Sequence, residues 1–242
     1  MARSVAIIGA GPAGLTAAKA ALECEMRPTV FERATEIGGL WRPGSGAAWP
    51  GMATNLSRYS CGFSDFPWPA DAPDFPCQPD MFDYLCRYAD TFDLHPTMRL
   101  GCPITRGAQL AGFDAVIVAS GIFTTPLVPA LPGAFSGLSV HSSNYRGPDQ
   151  FRGHRVAVVG MAFSGAEIAA ELASAGIPVT AVVSRPLWIV PRYRVHADGA
   201  LLPWELVAYT RSGRDARSRL ASAAANQLLN RCYHELGANP GL

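Results

Sequence analysis

Apolar runs and helical periods alternate along this chain in an order that repeats. Val5 to Ile8 is an unbroken apolar run, the pattern of a strand buried on both faces of a parallel sheet. A glycine turn follows, and LTAAKAALE (Leu15 to Glu23) predicts a helix by propensity. RPTVFER supplies a second short strand ending at Glu32. Pro79 to Phe92 places apolar residues at Met81, Phe82, Leu85, Tyr88, Ala89 and Phe92, an amphipathic helical spacing that opens at Pro79 and Asp80. DAVIVASG, Asp114 to Gly121, predicts another buried strand. Then the opening returns. RVAVVGMAFSGAEIAAELASAG is strand, glycine turn and helix, and VTAVVSR is the strand after it. Arg192 to Gly213 is mixed, and Leu220 to Leu236 predicts a helix.

Two stretches break the alternation. From Gly38 to Pro79 the chain turns to Gly, Pro, Trp and Ser with little periodicity, a length at which an irregular loop is functional or disordered. Its tryptophans and phenylalanines argue against disorder. TTPLVPALPG is a proline-stiffened connector, the composition found where domains change. The expected fold is therefore α/β, with two Rossmann-like dinucleotide-binding units at residues 1–147 and 148–242.

Composition narrows the function. A chain of 242 residues, 49% hydrophobic, can bury one large core or two modest ones. Its net charge of +1 offers no footprint for nucleic acid or an anionic membrane. The six cysteines are scattered without C-x-x-C or metal-ligand spacing, so they read as reduced packing thiols. The histidines lack partners at ligand spacing, and no metal site is expected. The start leaves no room for a signal peptide, and no apolar run is long enough to span a bilayer. A cytoplasmic protein is expected.

The glycine turns carry the chemistry. The first, Gly9-Ala10-Gly11-Pro12-Ala13-Gly14, lies between a strand and a helix and is trailed by Glu32 at the end of the next strand. Glycines permit the tight turn and close approach of backbone to a pyrophosphate, while the helix N-terminus favours the anion. Glu32 would accept hydrogen bonds from ribose hydroxyls. The second turn, Gly160-Met161-Ala162-Phe163-Ser164-Gly165, keeps Gly160, Ser164 and Gly165 but has Ala162 at the middle glycine, adding a methyl where phosphate should approach. Its following strand ends in Ser184-Arg185. That arginine is either an ordinary surface charge or a bidentate clamp for a 2′-phosphate. An acid after the first turn and a base after the second suit FAD and NADPH respectively.

With GAGPAGL, GGLW (Gly38 to Trp41), TNLSRYSCGFSDFPWP (Thr54 to Pro69), VIVASG and LPGAFSGLSVHSSNYR in that order, the chain resembles the flavin-containing monooxygenases, class B flavin-dependent enzymes. The last stretch matches the family signature at Phe135, Gly137 and His141, with Tyr145 in place of its tryptophan. The resemblance implies that Gly39, Leu40 and Trp41 pack along the flavin and that Thr54 and Asn55 reach the isoalloxazine. Asn55 would then be the catalytic residue, its amide donating to a flavin hydroperoxide or to nicotinamide; the alternative is that it caps a turn. Trp41 would shield that adduct from water. For His141 and its signature neighbours the resemblance implies a hinge or packing role.

The implied activity is NADPH-dependent, FAD-mediated oxygenation by O₂ of a nitrogen or sulfur centre on a small molecule. The alternatives are an uncoupled NADPH oxidase and a non-catalytic nucleotide-binding subunit needing a partner chain. Family members carry a β-meander before VIVASG and a return to the FAD domain after the NADPH domain, and both are missing from this sequence. Both the second unit and the return of the FAD domain are therefore expected to be incomplete. The missing cover is expected from a second copy in a homodimer or from a separately encoded partner.

Overall fold

The computed structural model describes residues 2–45, 47–123, 125–130, 132–185, 189–195 and 199–205. The predicted helix Leu220 to Leu236, and the end of the mixed stretch that begins at Arg192, lie outside them. The chain divides into two compact units, Met1–Met52 with Cys77–Gly147, and Ala53–Pro76 with Pro148–Leu242.

The first unit is built on a four-stranded sheet in the order β3-β2-β1-β4. Its strands are β1 (Ser4–Ile8), β2 (Arg27–Phe31), β3 (Met98–Arg99) and β4 (Ala115–Val118), all parallel. In β1, Val5, Ala6 and Ile7 are fully buried, as the apolar run predicts. Helix α1 (Pro12–Glu23) crosses from β1 to β2 and buries Gly14, Leu15, Ala18 and Ala21. Those positions fall on one helical face, and a proline in the first turn costs the helix no hydrogen bond. The short helix α2 (Arg58–Cys61) lies in the segment that interrupts this unit.

Helix α3 (Gln78–Thr91) covers the predicted amphipathic segment and buries Met81, Tyr84, Leu85, Tyr88 and Ala89. It opens at Gln78, just before the expected Pro79 and Asp80, and Asp80 Oδ2 closes its first turn by accepting the backbone N–H of Cys77 at 2.8 Å.

β4 corrects one expectation. Its residues are exposed rather than buried, Val118 by 71%. It is the edge of the sheet, hydrogen-bonded to β1 alone among the described strands. An apolar run specifies that a strand wants cover, but the cover itself is built from other segments.

The second unit repeats the βαβ plan. β5 (Val156–Val159) pairs in parallel with β6 (Val179–Val182), and α4 (Phe163–Ser174) connects them. The mixed stretch contributes an antiparallel pair, β7 (Tyr193–Val195) and β8 (Leu201–Pro203). Residues 53–76, with α2, belong to this unit although they interrupt the first. Their ends are tied together by Thr54 N–H donating to Pro76 O at 2.9 Å and Arg58 N–H to Asp74 O at 2.7 Å. No helix among the described residues is long and apolar enough to cross a membrane.

Candidate functional site: two glycine cradles and an asparagine loop

In the first unit the predicted residues come together. Gly9 has φ +108°, and a Cβ there would lie 2.5 Å from Ala119 O. A Cβ on Gly14 would lie 1.8 Å from Gly9 O, so only glycine lets α1 rest on the end of β1. Gly11 is different. A Cβ there would meet nothing nearer than Gly39 Cα at 3.6 Å, leaving an open position at the N-terminus of a twelve-residue helix. That helix end and the open glycine fit a pyrophosphate.

Glu32 is buried, with Oε2 accepting the Ala10 N–H and Oε1 the Ala34 N–H, each at 2.8 Å. It therefore fastens the glycine turn to the end of β2. An ionised carboxylate has about four acceptor sites, so lone pairs remain for ribose hydroxyls. The Gly39–Trp41 turn docks on the same place. Gly38 N–H donates to Ala10 O at 2.9 Å, a Cβ on Gly39 would come 3.0 Å from Gly11 Cα, and the Trp41 carbonyl accepts from the Gln78 amide. Leu40 and Trp41 are half-buried.

Trp49, eight residues on, is a core residue at 2% exposure, edge-on to Tyr145 with ring centroids 5.2 Å apart. Tyr145 thus takes a packing role, and His141 accepts the Ser143 N–H in a local turn. Phe135 is 77% exposed and packs in no core of the described residues.

The second cradle has the same backbone. Gly160 has φ +91°, and a Cβ on Gly165 would lie 1.9 Å from Gly160 O. Ala162 caps α4 with φ −70° and ψ −172°, against −78° and −175° at Gly11 before α1. The turn keeps its shape, and the methyl is the difference at that position. Ser164 is exposed in the first turn of α4. Arg185 is exposed and pairs with no acid among the described residues.

Also in the second unit, Thr54 is buried and Asn55 is exposed. The Asn55 side-chain amide has no hydrogen-bond partner among the described residues. Sequence reasoning missed what surrounds it. Glu205, 5% exposed, accepts the Ser57 N–H at 2.6 Å, and Arg192 Nε donates to Thr54 O at 3.4 Å. Burial, reinforced by the Glu205 charge, pushes the Cys61 thiol above its ordinary range. Cys61 therefore stays protonated and is a poor nucleophile.

The model of the flavin-binding monooxygenase-like family matches residues 2–106 and 102–236. Human flavin-containing monooxygenase 2 is 34% identical over 97% of this chain and 50% of its own length. Among solved structures, S-allyl-L-cysteine S-oxygenase from Allium sativum superposes with a TM-score of 0.64 at 25% identity, covering 85% of this chain and 60% of that one. The flavin-containing monooxygenase from Stenotrophomonas maltophilia gives 0.67 at 23% identity, covering 90% and 68%. The chain spans about half the length of the curated relatives it matches.

Proposed function

The chain belongs to the flavin-binding monooxygenase-like family, and from that premise we propose that it oxygenates a nitrogen or sulfur centre of a small molecule, using FAD, NADPH and O₂. The observation that carries the reading is the first cradle, where an open glycine at a helix N-terminus, a buried acid and the Gly39–Trp41 turn converge. FAD held in that cradle would supply the redox chemistry by which NADPH electrons reach oxygen.

The chain's own residues bind and orient. Gly11 admits the pyrophosphate on a turn that Gly9 and Gly14 make possible, and Glu32 accepts from the ribose. Trp41, on the turn docked against the first cradle, excludes water from that cradle. In the second unit, Asn55 presents an exposed side-chain amide as a hydrogen-bond donor for the chemistry. Gly160, Ser164 and Gly165 receive the NADPH phosphates, and Arg185 engages the 2′-phosphate. The sulfur alternative has support in the Allium relative, whose name is that of an S-oxygenase.

The test is direct. The purified protein should be yellow, be bleached by NADPH without air, and convert a thioether or tertiary amine to its oxide when oxygen is admitted. Peroxide in place of oxide would mark the uncoupled oxidase. A colourless protein that gains no flavin on reconstitution would leave only the nucleotide-binding subunit.

A specific observation favours dependence on further polypeptide. Val118, Ile122, Phe123, Leu127 and Val128 are 67–88% exposed, in a run too apolar for a monomer's usual surface. A second copy or a separate partner covers them in the reading proposed here.

A further inference from the structure

We propose that Glu205 is a positioning residue for Asn55, acting through the Ser57 amide, with Arg192 as the second point of the same clamp. The inference rests on the reading of Asn55 as the residue that serves the oxygenating centre.

Thr54 to Ser57 is a short link with both ends held and its middle exposed. Ser57 is fully buried, and its N–H donates to Glu205 Oε1 at 2.6 Å across 148 residues of sequence. Thr54 is held by its own N–H to Pro76 O at 2.9 Å and by Arg192 Nε at its carbonyl. Arg192 is itself fixed, with Nη2 at 2.6 Å from Glu167 Oε1 on α4 and its guanidinium 5.5 Å from the centre of the Phe75 ring. Asn55 and Leu56, between these anchors, both face outward, Leu56 with 42% exposure.

A carboxylate that is 5% exposed is costly to bury, and this one meets a single backbone N–H among the described residues. An apolar residue would fill the space at less cost. What an acid adds there is a short charge-assisted bond to one chosen amide two residues beyond Asn55. Such a bond fixes the backbone from which the Asn55 amide projects, and a catalytic amide displaced by a fraction of an ångström loses its effect.

The experiment compares Glu205→Ala, Glu205→Gln and Asn55→Ala in the flavin-loaded protein, with two readouts. Hydrogen exchange over residues 54–61 reports the clamp. The ratio of peroxide to oxygenated product reports Asn55. Glu205→Ala should speed exchange of the Ser57 amide about tenfold or more and shift the ratio toward peroxide, as Asn55→Ala does. Glu205→Gln, whose amide oxygen still accepts the Ser57 N–H but without the charge, should restore both in part. Unchanged exchange in Glu205→Ala, or a Gln variant no better than Ala, overturns the clamp. So does a Glu205→Ala protein that melts lower yet keeps the parent ratio while Asn55→Ala loses it. If instead Asn55→Ala keeps the parent ratio, the reading of Asn55 fails and the positioning inference with it, whereas faster exchange in Glu205→Ala would still establish the bond.

Discussion

At the scale of single residues, one side chain holds the fold and, in the proposed function, also serves the ligand. Glu32 bonds two backbone amides and keeps lone pairs for a ribose, so its removal should be felt twice. Glu32→Ala is expected to weaken FAD binding by roughly 10- to 100-fold, from about 1.5–3 kcal/mol per charge-assisted bond, measured by fluorescence titration. Glu32→Gln should fall between, since one oxygen still accepts. Arg185 is a simpler case because nothing among the described residues holds it. Arg185→Ala should lower the ratio of flavin reduction rates with NADPH and NADH by about tenfold for each 1.4 kcal/mol that the phosphate gains from the guanidinium. Stability should be unchanged, and an unaltered ratio would make the arginine a surface charge.

At the scale of elements, the two glycine turns separate packing from binding. Gly14→Ala forces a methyl to 1.8 Å from Gly9 O, and α1 must lift off the sheet. A loss of about 1–3 kcal/mol is expected, as for other overpacked sites, read as a lower midpoint in urea. Gly11→Ala should fold normally, since φ is −78° and the nearest atom is 3.6 Å away, as Ala162 does before α4. Its effect should appear in FAD affinity alone. These turns were legible in the sequence because the steric demand on a glycine is local: strand before, helix after, no room for Cβ. The helix α3 was legible for a similar reason, its period being written in Met81, Leu85, Tyr88 and Ala89. β4 was legible as a strand and illegible as an exposed one. Trp41 and Trp49 look alike in sequence, and only packing made one a half-buried neighbour of the glycine turn and the other a core residue. Glu205, in the apolar stretch LLPWELVAY, gave no hint of its partner because that partner lies at Ser57.

At the scale of the whole molecule, the exposed apolar residues Val118, Ile122, Phe123, Leu127 and Val128 dominate expected behaviour. Light scattering of the purified protein should find a dimer or larger species, or binding of an apolar dye that a covering partner suppresses. A dye-silent, flavin-replete monomer would show the surface to be covered some other way.

The interruption of the first unit by residues 53–76 has a consequence for synthesis. Ser57 leaves the ribosome 148 residues before Glu205 does. At about 5–20 residues per second that is a wait of roughly 10–30 s. Through it the segment has its tryptophan and phenylalanines but not Glu205 or Arg192 to hold it. Its prolines, Pro67, Pro69, Pro73 and Pro76, interrupt any run long enough to add to a β-aggregate, and Asp65, Asp71 and Asp74 add charge between them. The composition that makes the stretch look irregular is also what lets the nascent chain carry it, unpartnered, until the residues that hold it have been made.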